Sequence, residues 1–575
     1  MAVLNVLARH LDYFATLAPN RARARAEHLS ETAPERALAL FAAAAEAGDI
    51  QAAFTVGEQY FEGKGTPRYP LEAARWYQRA ASAGHVRAQC RLAQLHFFGL
   101  PKAAIGPGVG LFEAFEAEER ADHYAALHWA KLAAEAGAPD AQAMLAYILT
   151  AGPEALRDSE AALEWYRKSA EQDCPEGRLG YGMALMLRAD TDEKTLAART
   201  ELQRAAEAGL PSAHYLLGLG AERAVGTVLN EAQARHHYKI AAEAGLGLAQ
   251  ARLGQLLLEG RGGPVDALNG ESWLRRAALG GELEAAAALG DIYARDGALP
   301  PNYAEAAHWF RTAAEGGHKA AARALGTLYL TGGAGIAQDP AEAAVWFERA
   351  AEQGDPIGAF NYAVCLAEGV GVTRNDERAA FWLKHAAEDV VNAQYWYAKM
   401  LAGGRGLEKD EAEAAIWFAR AATAGMTEAQ VALAELHVNG CGVARDHQLA
   451  KIWFLHAVPA GHAGAMFALG ALHAGGHDIE TDLKAARYWF AEAAMREHPI
   501  AALMLARYAM RGWGGACDIE AGRRWYTKAA SLGVPEAAAE LAQAEAHGPV
   551  MSSHNSTGNR PGAFSAAQLS FQRSK

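Results

Sequence analysis

The chain has 575 residues, of which 51% are hydrophobic, and a formal charge of −13 at neutral pH. That balance leaves no basic stripe to neutralise phosphates, which argues against a general nucleic-acid binder, and no run reaches the roughly 18 apolar residues of a membrane span. The five cysteines are odd in number and no pair recurs at a fixed spacing, so a disulfide framework is not expected and a reducing compartment fits.

At the N-terminus Leu4, Leu7, Leu11 and Phe14 share one helical face, while Arg9, His10 and Asp12 interrupt what would be a signal-peptide core. The expectation for residues 1–33 is an amphipathic capping helix and a linker; Arg21, Arg23 and Arg25 leave an organellar transit peptide as the alternative. Pro34 to Gly48 reads as a lone second helix, and a first full two-helix unit follows over residues 51–84. Trp76 and Trp129 then stand 53 residues apart, where later units repeat at about 36. The surplus, residues 100–124, runs through Gly106-Pro107-Gly108 into an acidic, aromatic segment. Insertions in repeat arrays fall on loops of one face, often the binding face. Phe112, Phe115, Glu116 and Glu119 are therefore candidate partner-binding residues, with a passive loop extension as the alternative. The copies at 177–209 and 213–245 are the least regular, with Glu201 and His237 at the tryptophan position, yet Leu202 and Tyr238 follow in register. From Trp273 onward, Trp309, Trp346, Trp382, Trp417, Trp453, Trp489 and Trp525 recur 35 to 37 residues apart. Ala537 to Ala546 reads as a final unpaired first helix, and residues 548–575, rich in Ser, Asn, Gly and Gln, as a disordered tail.

One unit shows the grammar in full. In the stretch from Asp339 to Gly354, Asp339 is an N-cap, Pro340 the first helical residue and Gly354 a left-handed stop. Asp or Asn stands seven residues before the tryptophan position in nearly every copy, and Tyr69 and Lys194 are the exceptions, where weaker helix starts are expected. Ahead of each capped helix comes a first helix of the form Ala-x-x-x-Leu-Gly-x-x-Tyr, as in Ala285 to Tyr293 and Ala321 to Tyr329. Glycine-rich turns such as Gly369-Val370-Gly371-Val372 join the two. Abundant alanine lets the helices approach closely, with the tryptophans as large buried knobs between them.

This pattern, over roughly residues 35–547, resembles the Sel-one-like repeat, a relative of the tetratricopeptide repeat. The resemblance implies an all-α, right-handed α-solenoid superhelix of about 13 two-helix repeats over residues 34–547. It implies a non-catalytic scaffold or adaptor that presents a concave surface, lined by the first helices, to a protein or peptide partner. A bacterial envelope component for polysaccharide export or secretion is the alternative. Cysteine-rich relatives described as β-lactamase-like hydrolases are a remoter model, because this chain lacks their paired cysteines and an activated serine motif. The expected location is cytoplasmic, with periplasmic or organellar placement as alternatives.

No cofactor, metal or catalytic set is expected. Gly260-Arg261-Gly262-Gly263 suggests a phosphate loop but lacks the following Lys-Ser/Thr and occupies the inter-helix turn position. His473 and His477 have the i, i+4 spacing of a metal pair, but His437 and His473 share one repeat position, as do His385 and His456, which points to packing. Two aromatic features stand outside the grammar. Beside Tyr395, Trp396 falls at a variable position of a first helix, where other copies have Asn361, Ala432 or Ala468, and Trp513 sits on a turn. All three are candidate partner contacts.

Overall fold

The computed structural model describes residues 18–99, 121–225, 228–297, 299–475 and 477–546. Among these residues there are 29 α-helices, no strand longer than an isolated bridge between Gly333 and Ile336, and one 3-10 turn at Glu154–Leu156. The chain divides into two compact units, Met1–Ala285 and Ala286–Lys575, each an all-α solenoid in which helices pack on their neighbours in sequence. Thirteen successive helix pairs run from Ile50–Glu62 with Pro70–Ser82 to Pro499–Arg511 with Ile519–Ser531. Pro34–Glu46 is not a lone second helix. Pro19–Leu29 stands ahead of it, and Ala22 and Ala26 share a core with Leu40 and Phe41. A first helix, Pro535–Ala546, follows the last pair.

The capped starts form as the spacing predicts. Asp122, Asp158, Asn230, Asp266, Asn302, Asp339, Asn375, Asp410, Asp446, Asp482 and Asp518 each accept a backbone N–H two or three residues on, which satisfies a donor that the helix end leaves free. Tyr69 makes no such bond. At the other exception the helix begins earlier instead: Asp192–Glu207 is capped by Thr191, whose hydroxyl takes the Lys194 N–H at 3.4 Å. In the turns, the second glycine answers to two constraints at once. Gly371 has φ +70°, and a Cβ there would overlap the Pro340 carbonyl of the preceding second helix.

Within a pair the fit is a ring in a dimple, and the ring is not the tryptophan. The residue after each tryptophan position is the buried one, as with Tyr77, Tyr238, Phe347, Phe454 and Phe490. In several pairs it lies against a glycine of the first helix: a Cβ on Gly326 would stand 2.7 Å from the Phe347 ring, and one on Gly470 2.6 Å from Phe490. Of the eleven tryptophans at the repeat position only Trp309, Trp346 and Trp417 are buried; the other eight are half-buried at the rim of the core. This corrects the expectation of tryptophan knobs. The helix Leu483–Met495 turns Phe490 straight toward its partner helix, and Trp489, 100° around, covers the edge. The three buried indoles donate to a glutamate one turn earlier, Trp346 Nε1 to Glu342 at 2.9 Å, Trp309 to Glu305 at 3.1 Å and Trp417 to Glu413 at 3.3 Å.

Candidate functional site

Tyr395 and Trp396 lie on Val391–Gly403, a first helix of the second unit whose Ala393, Tyr397, Ala398, Met400 and Leu401 point into the core. Both rings are half-buried beside that core, and Tyr395 meets Phe418 edge-on at 5.7 Å. Burial pushes the Tyr395 hydroxyl above its ordinary range, with the charges of Glu428 and Glu435 adding to the shift, so it stays a neutral donor. Lys399, one turn on, holds its ammonium 5.4 Å from the Tyr395 ring centre and 5.3 Å from that of Trp396. The result is a patch of two π faces under one cation. It can take an apolar side chain on the rings and a carboxylate on the ammonium.

Trp513 stands three repeats further on and packs locally. It follows Gly512 at φ +67°, meets Tyr508 edge-on at 5.3 Å and lies under the Arg511 guanidinium at 4.7 Å. Phe112, Phe115, Glu116 and Glu119 lie outside the described residues. A groove of about 650 Å³ opens on two earlier first helices, Leu283–Ala294 and Lys319–Thr331, lined among others by Asp291, Arg295, Tyr303, Arg323 and Thr327. Its guanidinium groups already hold carboxylates, Arg295 with Asp291 at 3.3 Å and Arg323 with Asp355 at 3.4 Å.

Features that suggested chemistry resolve into packing. Gly262 in the glycine-rich turn has φ +71° and rests on the Glu231 backbone, while Arg261 is tied to Glu231 at 2.7 Å and Glu222 at 3.1 Å. His473 and His477 do not share a helical face, because the helix Ala463–Ala474 ends between them; His477 instead lies 4.8 Å from the His447 ring. His385 and His456 sit against Trp382 and Trp453, at 6.1 and 5.4 Å. Among the described residues one group has metal-like spacing: the Cys174 thiol lies 3.6 Å from Asp140 Oδ1 and 3.5 Å from Glu176 Oε2. Burial pushes that thiol up to about 11 and the Cys90 thiol to about 12, so both are protonated donors rather than nucleophiles at neutral pH.

Two recurring devices escaped the sequence reading. Four histidines cap first helices through a neutral Nδ1: His85, His318, His462 and His498 each accept a backbone N–H at 3.1 Å. A cation three residues after the tryptophan covers its outer face, as Lys168 does over Trp165 at 4.3 Å and Arg420 over Trp417 at 4.4 Å. The capping positions align at the repeat period and were legible in principle. The stacking was not, because it depends on rotamers.

Comparison with known proteins follows the same units. The model of the Sel1 repeat matches residues 31–49, 50–85, 86–104, 116–137, 139–174, 211–246, 247–282, 283–318, 319–355, 356–389, 391–426, 427–458, 463–498 and 499–534. The helices Pro175–Leu187 and Asp192–Glu207 fall in an unmatched stretch, yet they form the same kind of pair, with Leu202 buried where other copies bury an aromatic ring. No curated protein matches the chain closely enough to count as a relative. Among solved structures, a protective antigen of uropathogenic Escherichia coli displaying an SLR fold is 26% identical, with 91% of this chain and 99% of that one covered and a TM-score of 0.48. A Sel1 repeat protein from Oxalobacter formigenes is 29% identical over 54% of this chain and 89% of its own, with a TM-score of 0.45. An immunity protein from Pseudomonas aeruginosa, 18% identical over 37% of this chain and 81% of its own, has a TM-score of 0.23. With its helix pairs, capped starts and glycine turns matched along most of its length, the chain belongs to the Sel1 repeat family.

Proposed function

We propose that the protein is a non-catalytic adaptor that holds a protein or peptide partner against its first helices. Sel1 repeat proteins generally serve as protein-interaction scaffolds, which supports the class and leaves the partner open. The observation that carries the reading is the Tyr395–Trp396 patch beneath Lys399. Two half-exposed aromatic rings on a rigid helix, one of them Trp396 at a position where other copies carry Asn361, Ala432 or Ala468, have the make-up of an interface anchor. Trp513 and the insertion residues Phe112, Phe115, Glu116 and Glu119 are secondary contacts in this reading. Among the described residues no helix is long and apolar enough to cross a membrane. The five free thiols fit a cytoplasmic location, which fractionation of native cells would test.

The test is capture of partners from native cells by the wild-type chain, Trp396→Ala and Tyr395→Ala, with melting curves alongside. The expected result is a partner lost from both variants whose melting is unchanged. A partner retained by both, or a Trp396→Ala chain that melts as low as Phe418→Ala, makes the patch structural. Hydrolysis of a chromogenic β-lactam by the purified protein would overturn the non-catalytic reading.

A further inference from the structure

Cys174 immediately precedes the first helix Pro175–Leu187, whose second residue is Glu176, and Asp140 is the second residue of the preceding first helix, Pro139–Ala151. These two helices pack directly on each other, and Pro139–Ala151 packs likewise on Val86–Phe98. The arrangement gathers a thiol and two carboxylates whose ligand atoms all lie within 4.8 Å of one another. Hydrogen bonding leaves the group incomplete. The Cys174 thiol has one proton for two acceptors, Asp140 at 3.6 Å and Glu176 at 3.5 Å, and among the described residues neither carboxylate has another hydrogen-bond or ion-pair partner. The guanidinium groups nearby are bound elsewhere, Arg91 to Glu58 at 3.0 Å and Arg178 to Asp173. A second thiol faces the same charges. Cys90, on Val86–Phe98, has no hydrogen-bond partner for its sulfur among the described residues, and burial, then the carboxylate of Asp140, push it up to about 12.

We propose that Asp140, Cys174 and Glu176 hold a Zn²⁺ ion, with Cys90 closing the fourth position of its tetrahedron. Zn–S bonds of about 2.3 Å and Zn–O bonds of about 2.0–2.2 Å, at the tetrahedral angle, put sulfur about 3.5–3.6 Å from each oxygen. That is the separation already present around the Cys174 sulfur. Sulfur in the set disfavours Mg²⁺ and Ca²⁺, which take oxygen ligands, whereas a borderline-soft ion suits mixed thiolate and carboxylate donors. As the ion binds, each S–H bond breaks, its proton passes to solvent, and the sulfur electron pair forms the Zn–S bond. Asp140 is exposed and gives the ion its way in, while Cys174, 4% exposed, holds it at the edge of the core. The ion ties three successive first helices together. The last of them belongs to the pair Pro175–Leu187 and Asp192–Glu207, which lacks the repeat tryptophan, so the crosslink falls where the packing is least regular. The site lies in the first unit and shares no residue with the Tyr395–Trp396 patch.

The test titrates the full chain, reduced and stripped of metal by a chelator, with Zn²⁺ against a chromophoric competitor. The expected result is about one ion per chain, with affinity rising at least about tenfold per unit of pH as thiol protons are displaced. Amide exchange should slow with Zn²⁺ in Val86–Phe98, Pro139–Ala151 and Pro175–Leu187. Co²⁺ in its place should give the near-ultraviolet band of sulfur-to-cobalt charge transfer. Cys174→Ser and Glu176→Gln should each weaken Zn²⁺ binding by at least about a hundredfold, Cys90→Ser by about tenfold, and Cys441→Ser, in the second unit, not at all. Glu176 is half-buried, so Glu176→Gln should melt like the metal-free wild type and report on binding alone. Absence of Zn²⁺ binding at micromolar concentrations, or binding that Cys174→Ser and Glu176→Gln both retain, overturns the proposal. So does equal affinity for Mg²⁺ with no cobalt–sulfur band, since the group would then be an acidic surface cluster only.

Discussion

Single residues in this chain divide into those that fill a dimple and those that cover a rim. Phe347 is 1% exposed against Gly326, so Phe347→Ala should cost about 3–5 kcal/mol, while Trp489→Ala, at a half-buried rim, should cost clearly less in urea unfolding. Gly326→Ala tests the dimple itself. Alanine is the better helix former by about 1 kcal/mol, but its Cβ would stand 2.7 Å from the Phe347 ring, and overpacking of that kind costs about 1–3 kcal/mol, so the variant should be less stable. Gly403→Ala is the control, since its Cβ meets nothing nearer than Arg405 Cγ at 3.9 Å, and it should be neutral or stabilising. His498 gives a pH dependence. Burial, and then the charge of His462, lower its pKa from 6.5 to about 4, while its neutral Nδ1 caps the helix that follows. The unfolded chain thus binds the extra proton first. The contribution is complete above pH 6.5 and falls as pH drops toward about 4. His498→Asp supplies the acidic cap that Asp49 and Asp355 supply in other copies, so its melting temperature should fall less between pH 7 and pH 5 than the wild type's.

Individual helices are set by their ends more than by their middles. Asp339→Ala removes a cap that takes two backbone N–H groups, and should lower stability by about 1 kcal/mol. Tyr69 occupies the same backbone conformation, φ −132° and ψ 83° against −139° and 89° at Asp339, without a cap. Tyr69→Asp should therefore raise the melting temperature. The pair Pro175–Leu187 and Asp192–Glu207 shows what a unit can lose. It keeps the buried Leu202 and a shifted cap at Thr191, and does without the tryptophan, because the rim position contributes least to closing the pair.

For the whole molecule, the nearest-neighbour packing of each solenoid confines damage. Amide exchange in Phe347→Ala should quicken in Lys319–Thr331, Pro340–Glu352 and Pro356–Glu368, and remain at wild-type rates in Pro70–Ser82 and Val86–Phe98. Loss of protection throughout the chain would contradict this repeat-by-repeat stability. Because the frame uses one face of each helix for packing, two other surfaces are left to vary: the first-helix patch at Trp396 and the half-exposed second-helix position just before each tryptophan, from Val345 to Tyr488.

Helix identity, cap positions and repeat register could be read from the sequence, because each depends on local chemistry repeated about every 36 residues, so that a weak signal at Glu201 was carried by strong ones on either side. Tertiary packing decided which member of each Trp-aromatic pair was the core. The two differ by one residue, or 100° of helix, and only the placement of the partner helix, marked in several pairs by its glycine, tells them apart. It also decided that Trp513 packs on Tyr508 and that the slot before the tryptophan faces solvent, since exposure depends on what neighbouring helices cover and not on the residues themselves.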